Sequence, residues 1–132
     1  TMDLASTYSN IDDLQQARKY ARMASSIDPN WGEPYLEIAR IYISLISQCT
    51  ENDEMTRKDR MVYWLVLDYL NKAKQVDQNM ANTVNQLYDS YNGVTPTSEH
   101  KFFMNLEDGD QVDIDESVDP CYSWVNETTT VR

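Results

Sequence analysis

The feature that most constrains this chain is its likeness to itself at fixed offsets. Leu4-Ala5-x-x-Tyr8 recurs as Ile38-Ala39-x-x-Tyr42, 34 residues on, and again as Leu87-Tyr88-x-x-Tyr91 after a further 49. A second set obeys the longer interval: Ala24, Ile27 and Asp28 return as Ala73, Val76 and Asp77, each 49 residues later. Two intervals that differ by 15 residues, with both flanks in register, imply one unit with an insertion between Tyr42 and about Val66. Periods of this length mark stacked supersecondary units, none of which can bury its apolar face alone. An unrelated helical bundle has no reason to keep such an offset.

The join between units is Asp28-Pro29-Asn30-Trp31-Gly32-Glu33-Pro34-Tyr35. A proline just past a helix end cannot continue it. Asn30 with Glu33 three residues later reads as an N-cap box for the next helix, and Pro34 is tolerated in a first turn. With only three Gly and four Pro in 132 residues, helices are favoured over a turn-rich β fold. The pattern predicts the end of a first helix over 1–9 and a second over about 12–27, capped by Asp12. A third is expected over 33–47, followed by a polar loop from Ser47 to Thr56. Thr56 with Asp59 restarts a helix through about Val76. A last helix near 80–92 should stop at Asn92-Gly93 in a left-handed ending.

Beyond Pro96 the period changes. Val112-Asp113-Ile114 alternates as a strand does, after a turn at Gly109-Asp110. Tyr122 to Val131 is rich in aromatic and β-branched residues and should be its partner. The expectation is an antiparallel hairpin, roughly 110–115 with 122–130, covering the open end of the helix stack.

These residues resemble the tetratricopeptide repeat, whose 34-residue pattern runs W-x2-L-G-x2-Y, then A-x3-F, then P. Here Tyr35-x2-Ile38-Ala39-x2-Tyr42 matches the first part, and Ala17-x3-Ala21-x2-Ala24 leads to Asp28-Pro29 in the preceding unit. The resemblance covers roughly residues 1–92. It implies a mainly α fold: a solenoid of antiparallel helix pairs, about five helices, over 1–93, with the insert near 47–60. Residues 94–132 would be an acidic β-hairpin segment packed on the last helices. Trp31, Tyr35 and the stripe Tyr8, Tyr42, Tyr91 read in this register as packing between units.

The Pro29-to-Tyr35 turn, a cysteine just after the following helix and the ending Trp124-Val125-Asn126-Glu127-Thr128-Thr129-Thr130-Val131-Arg132 resemble the C-terminal part of exported bacterial tetratricopeptide proteins. That likeness implies a cell-envelope location, periplasmic or exported, and supplies no activity. In that setting Cys49 and Cys121 either form a disulfide stapling hairpin to solenoid or stay as two free thiols. Family analogy places a partner-binding inner face at Glu33, Leu36, Arg40, Ile43, Asn82 and Asn85. Some relatives clamp a peptide C-terminus with basic and asparagine side chains; these positions are mostly acidic or neutral, which argues against that ligand.

The remaining signals point away from chemistry. The net charge is −11, of which −7 falls in residues 94–132, against nucleic acid or anionic membrane as partner. No apolar run approaches the roughly 18 residues of a membrane span. The acidic run from Glu107 to Glu116 lacks the spacing of a calcium loop and reads as a solvated, edge-protecting charge run. His100, the single histidine, stands outside any nucleophile arrangement and reads as a surface or loop residue. There is no glycine-rich phosphate loop. Asn126-Glu127-Thr128 matches a glycosylation sequon and, in a bacterial chain, reads as incidental. No catalytic residue, metal site or cofactor is expected. The function expected is a non-catalytic scaffold for a protein or peptide partner, the C-terminal part of a longer repeat protein. The alternative is a structural cap or self-association module acting through the hairpin.

Overall fold

The structure, a computed structural model, describes residues 11–51 and 54–132. The helix expected over 1–9, with Leu4, Ala5 and Tyr8, lies outside the described residues. Among those described, five α-helices and a two-stranded antiparallel sheet follow one another: α1 (Ile11–Ile27), α2 (Glu33–Cys49), α3 (Arg57–Val76), α4 (Ala81–Asn92), α5 (Ser98–Phe103), β1 (Gln111–Ile114) and β2 (Glu127–Thr130). Short 3-10 turns at Gln78–Met80 and Pro120–Tyr122 lead into α4 and towards β2.

From α1 to α4 each helix packs on the next, and burial tracks position in that order. In α1 only Leu14, Ala17 and Ala21 are buried, one stripe at helical spacing, and the two alanines let α2 approach closely. In α2, flanked by α1 and α3, Leu36, Ile38, Ala39, Ile41, Tyr42, Leu45 and Ile46 are all buried. The seven residues Met61–Leu67 of α3 are buried without a break. A helix that is apolar all round must be covered all round. α3 is covered by α2, by α4 and by β2. α4 closes the stack with Val84 buried and Leu87, Tyr88 and Tyr91 half-buried against the core; the Tyr91 ring stacks on Tyr63 at 5.6 Å.

The tail lies across this stack. β1 and β2 pair Gln111 with Thr130, Val112 with Thr129, Asp113 with Thr128 and Ile114 with Glu127. Ile114, Tyr122, Val125 and Val131 are fully buried. Removing such side chains from water stabilises by roughly 1.5–3 kcal/mol each, so the tail is part of the core.

Several local features differ from the sequence reading. Asn30 does not cap α2: its N–H is turned to Asp28 Oδ1 at 3.3 Å, and Gly32 stands at the cap position without a side-chain bond. Gly93 ends α4 in right-handed geometry at φ −73, not left-handed; Thr95 and Val94 N–H groups take up the last carbonyls instead. α5 was not foreseen. The expected strand 122–130 is shortened to Glu127–Thr130, because Asp119 caps a 3-10 turn at Pro120–Tyr122 and Asn126 turns the chain at φ 50. Trp31 is 40 % exposed rather than packed between units, whereas Tyr35 does rest against the core. α2 runs on to Cys49, so the insertion begins two residues later than expected.

The two inter-helix turns, by contrast, are built alike. Asp28 N–H donates to Ala24 O at 3.0 Å and Asp77 N–H to Ala73 O at 3.1 Å; Trp31 N–H donates to Asp28 O at 3.1 Å and Met80 N–H to Asp77 O at 3.0 Å. Asp28 Oδ1 accepts from Asn30 N–H and Asp77 Oδ1 from Asn79 N–H. The same bonds thus return at the 49-residue interval.

Candidate functional site

Side chains from three helices converge on one carboxylate of β2 at the tail–helix junction. On α1, Arg18 and Arg22 stand one turn apart and so share a face. Tyr42 on α2 donates its hydroxyl to Glu127 Oε2, and Tyr69 on α3 donates to Glu127 Oε1 at 2.5 Å. Arg22 pairs with the same carboxylate at 3.3 Å. Arg18 donates to the Tyr42 hydroxyl at 2.9 Å and to the carbonyls of Trp124 and Val125 at 2.9 and 2.7 Å, with its guanidinium 4.6 Å above the Trp124 ring. Burial, and then the neighbouring Glu127 charge, push the Tyr42 phenol well above its usual range; burial and the hydrogen bond to Glu127 do the same for Tyr69. Both phenols are thereby held neutral as donors to an acceptor that belongs to the chain itself. The arrangement fastens a strand to three helices.

Two further ties flank it. Tyr122 donates to Asp59 Oδ1 at 2.9 Å, and burial followed by that bond raises the Tyr122 phenol strongly. Asp68 on α3 accepts from the Thr129 hydroxyl at 2.6 Å and pairs with Arg132. Cys49, at the end of α2, is joined to Cys121 by a disulfide.

The six residues assigned to an inner face differ in exposure and in partners. Leu36 is 2 % exposed and belongs to the core, so it cannot be offered to a partner; this corrects its assignment. Arg40 pairs with Glu37 at 2.9 Å and lies 3.7 Å from Glu33, an arrangement internal to α2. Ile43 is half-buried against the core. Asn82 and Asn85 are exposed on α4, and Asn85 accepts from Lys74 Nζ at 3.0 Å. Among the described residues no hydrogen bond or ion pair connects the α2 group with the α4 group.

His100 is not a loop residue. It sits in the first turn of α5, where the Thr97 hydroxyl accepts from His100 N–H and His100 Nδ1 accepts from Thr97 N–H at 3.0 Å. The acidic run serves its own backbone: Asp110 accepts from Glu107 N–H at 2.9 Å, and Asp115 from Ser117 N–H and hydroxyl, which lowers its carboxyl pKa. Among the described residues no three His, Cys, Asp or Glu side chains gather to hold a metal ion, and no helix is long and apolar enough to cross a membrane.

Glu127, Arg18 and the Tyr122–Asp59 pair escaped the sequence reading. The one local trace of them is the Arg18/Arg22 spacing beside an alanine stripe. Comparison of the chain with family models, with curated proteins and with solved structures finds no match to any of them.

Proposed function

We propose that the helices form a tetratricopeptide-like solenoid, the C-terminal part of a longer repeat protein, and that it acts as a non-catalytic scaffold for a protein partner in a bacterial envelope. The observation that carries this reading is the return of the same turn bonds at Asp28 and Asp77. A hydrogen-bond pattern repeated at the interval of the sequence repeat is what stacked copies of one unit would produce. The Cys49–Cys121 disulfide supports an oxidising compartment. With Leu36 removed from the inner face, the surface left for a partner comprises Glu33, Arg40, Ile43, Asn82 and Asn85.

The test is capture and cross-linking of partners by the full-length protein from its own cell envelope. Cross-links to α2 and α4, lost in the Asn82→Ala/Asn85→Ala/Arg40→Ala variant, are expected. A partner retained by that variant and cross-linked only within 94–132 would replace the scaffold reading with the second one, docking through the hairpin. What favours the hairpin as an intramolecular cap is its four buried side chains and its ties to α1, α2 and α3.

A further inference from the structure

A cleft of about 890 Å³ opens where the start of α3, α5 and the segment around β1 converge. Its volume falls within the range of small-molecule sites. Met55, Met61, Phe103, Met104 and Val118 supply its apolar wall. Three of these are methionines, whose flexible thioethers adapt to irregular shapes. The Phe103 ring is 58 % exposed, with the Arg57 guanidinium 4.8 Å above it.

The charges around this cleft differ in what they are committed to. Asp59 accepts from the Thr56 N–H and hydroxyl at 2.8 and 2.9 Å and from Tyr122 at 2.9 Å. Asp119 accepts from Cys121 N–H at 2.9 Å, and Asp113 from the Thr128 hydroxyl at 3.0 Å. The acids are therefore engaged by their own chain. Arg60 donates to Val94 O at 3.2 Å. Arg57 and Lys58, both exposed, have no hydrogen bond or ion pair to any described residue. The end of α3 is closed by its own capping box, so the positive character here is that of side chains. In a chain of net charge −11, a cleft with one apolar wall, bordered by two cations that no described residue hydrogen-bonds or ion-pairs, is a local exception.

We propose that this cleft binds a medium-chain monocarboxylate. Two adjacent cations suit one anionic head, and charge-assisted bonds to a carboxylate are the strong kind. The aliphatic body lies along Phe103 and the methionines, where burial of its methylenes supplies the rest of the affinity. Arg57, stacked on Phe103, stands at the boundary between the two. This site is separate from the α2 and α4 surface assigned to a protein partner.

The test is calorimetric titration of the intact, oxidised protein with decanoate below its micellar concentration, alongside decanol and decylammonium. One saturable site for decanoate is expected, with the alcohol and the ammonium binding at least about tenfold more weakly. Arg57→Gln/Lys58→Gln should weaken decanoate about tenfold and leave decanol unchanged, whereas Phe103→Ser should weaken both. All three positions are exposed, so unchanged thermal midpoints are expected to accompany the losses. Absence of saturable binding, equal binding of decanol, more than one equivalent bound, or indifference to both variants would each overturn the proposal.

Discussion

The backbone N–H of Gly32 donates to the Asp77 carboxylate at 3.1 Å, so the turn entering α2 is held by the turn entering α4. The two turns also touch. A Cβ at Gly32 would stand 2.6 Å from Met80 Cγ and 2.8 Å from both Ala73 O and Asp77 Cβ. Met80 could swing aside, but the Ala73 carbonyl is helix backbone and cannot. Gly32→Ala should therefore destabilise by about 1–3 kcal/mol, the usual cost of overpacking. Asp77→Ala should cost about 1–2 kcal/mol, because it removes an acceptor from two backbone donors. Urea midpoints at neutral pH measure both, and a Gly32→Ala protein as stable as the parent would show that the turns are not in contact.

Glu127 accepts from two phenols and pairs with Arg22. Glu127→Ala leaves the Tyr42 hydroxyl without its acceptor at a position with no exposed surface. We expect a loss of about 2–4 kcal/mol. Tyr42→Phe in the Glu127→Ala background should cost far less than in the parent, since the partner is already gone. Equal costs in the two backgrounds would mean that the pair is not coupled.

The disulfide closes a loop of 72 residues. In the chain-entropy account, a loop of that length stabilises by about 4 kcal/mol through the unfolded state. Cys49→Ser/Cys121→Ser, or reduction, should lower the denaturation midpoint accordingly. Intact mass of the denatured chain, before and after a reductant, should rise by two hydrogens. An unchanged mass would remove the bridge and the stability argument together.

Stability should also fall in alkali. Tyr42, Tyr69 and Tyr122 have phenols raised above the ordinary value of 10.0, by burial first, and second by the Glu127 charge for Tyr42 and by bonds to Glu127 and Asp59 for Tyr69 and Tyr122. A raised acid is protonated in the folded state and ionises earlier in the unfolded one. The stabilisation is thus fully present below the unfolded value and is lost as pH climbs from about 10 towards the folded value, by up to about 1.4 kcal/mol per pH unit per group. Ultraviolet titration at the phenolate band should show fewer than the nine tyrosines ionising before the cooperative transition. All nine ionising together near the ordinary value would contradict the burial.

Local chemistry was legible in the sequence, and long-range chemistry was not. Thr56 and Asp59 form the box their spacing spells, with 2.8 and 3.1 Å bonds, because both partners lie within one turn. Asn30 and Glu33 have the same spacing and form none. The Asp28 turn takes the Asn30 backbone, and Asp77, 45 residues away, takes Gly32. The α5 box was hidden because His100 stands where Glu or Gln is usual. Tyr122 to Val125 has the composition of a strand, yet burial against the helices decides its conformation instead, as tertiary context commonly does for β propensity. Glu127 meets Tyr42 across 85 residues, a separation at which no window of sequence carries a signal.

The bridge between Cys49 and Cys121 has a mechanical consequence. Tension applied between a point in α1 and Arg132 passes from α2 through the sulfur atoms directly to the tail. α3, α4, α5 and β1 lie inside the ring, so the covalent path of the tension bypasses them. Pulled with the bridge intact, the chain can lengthen only through its outer segments. Once the bridge is reduced, the ring's 72 residues add about 250 Å of contour, at roughly 3.5 Å per residue. The interior of the fold is thus protected from stretching for as long as one covalent bond between its borders survives.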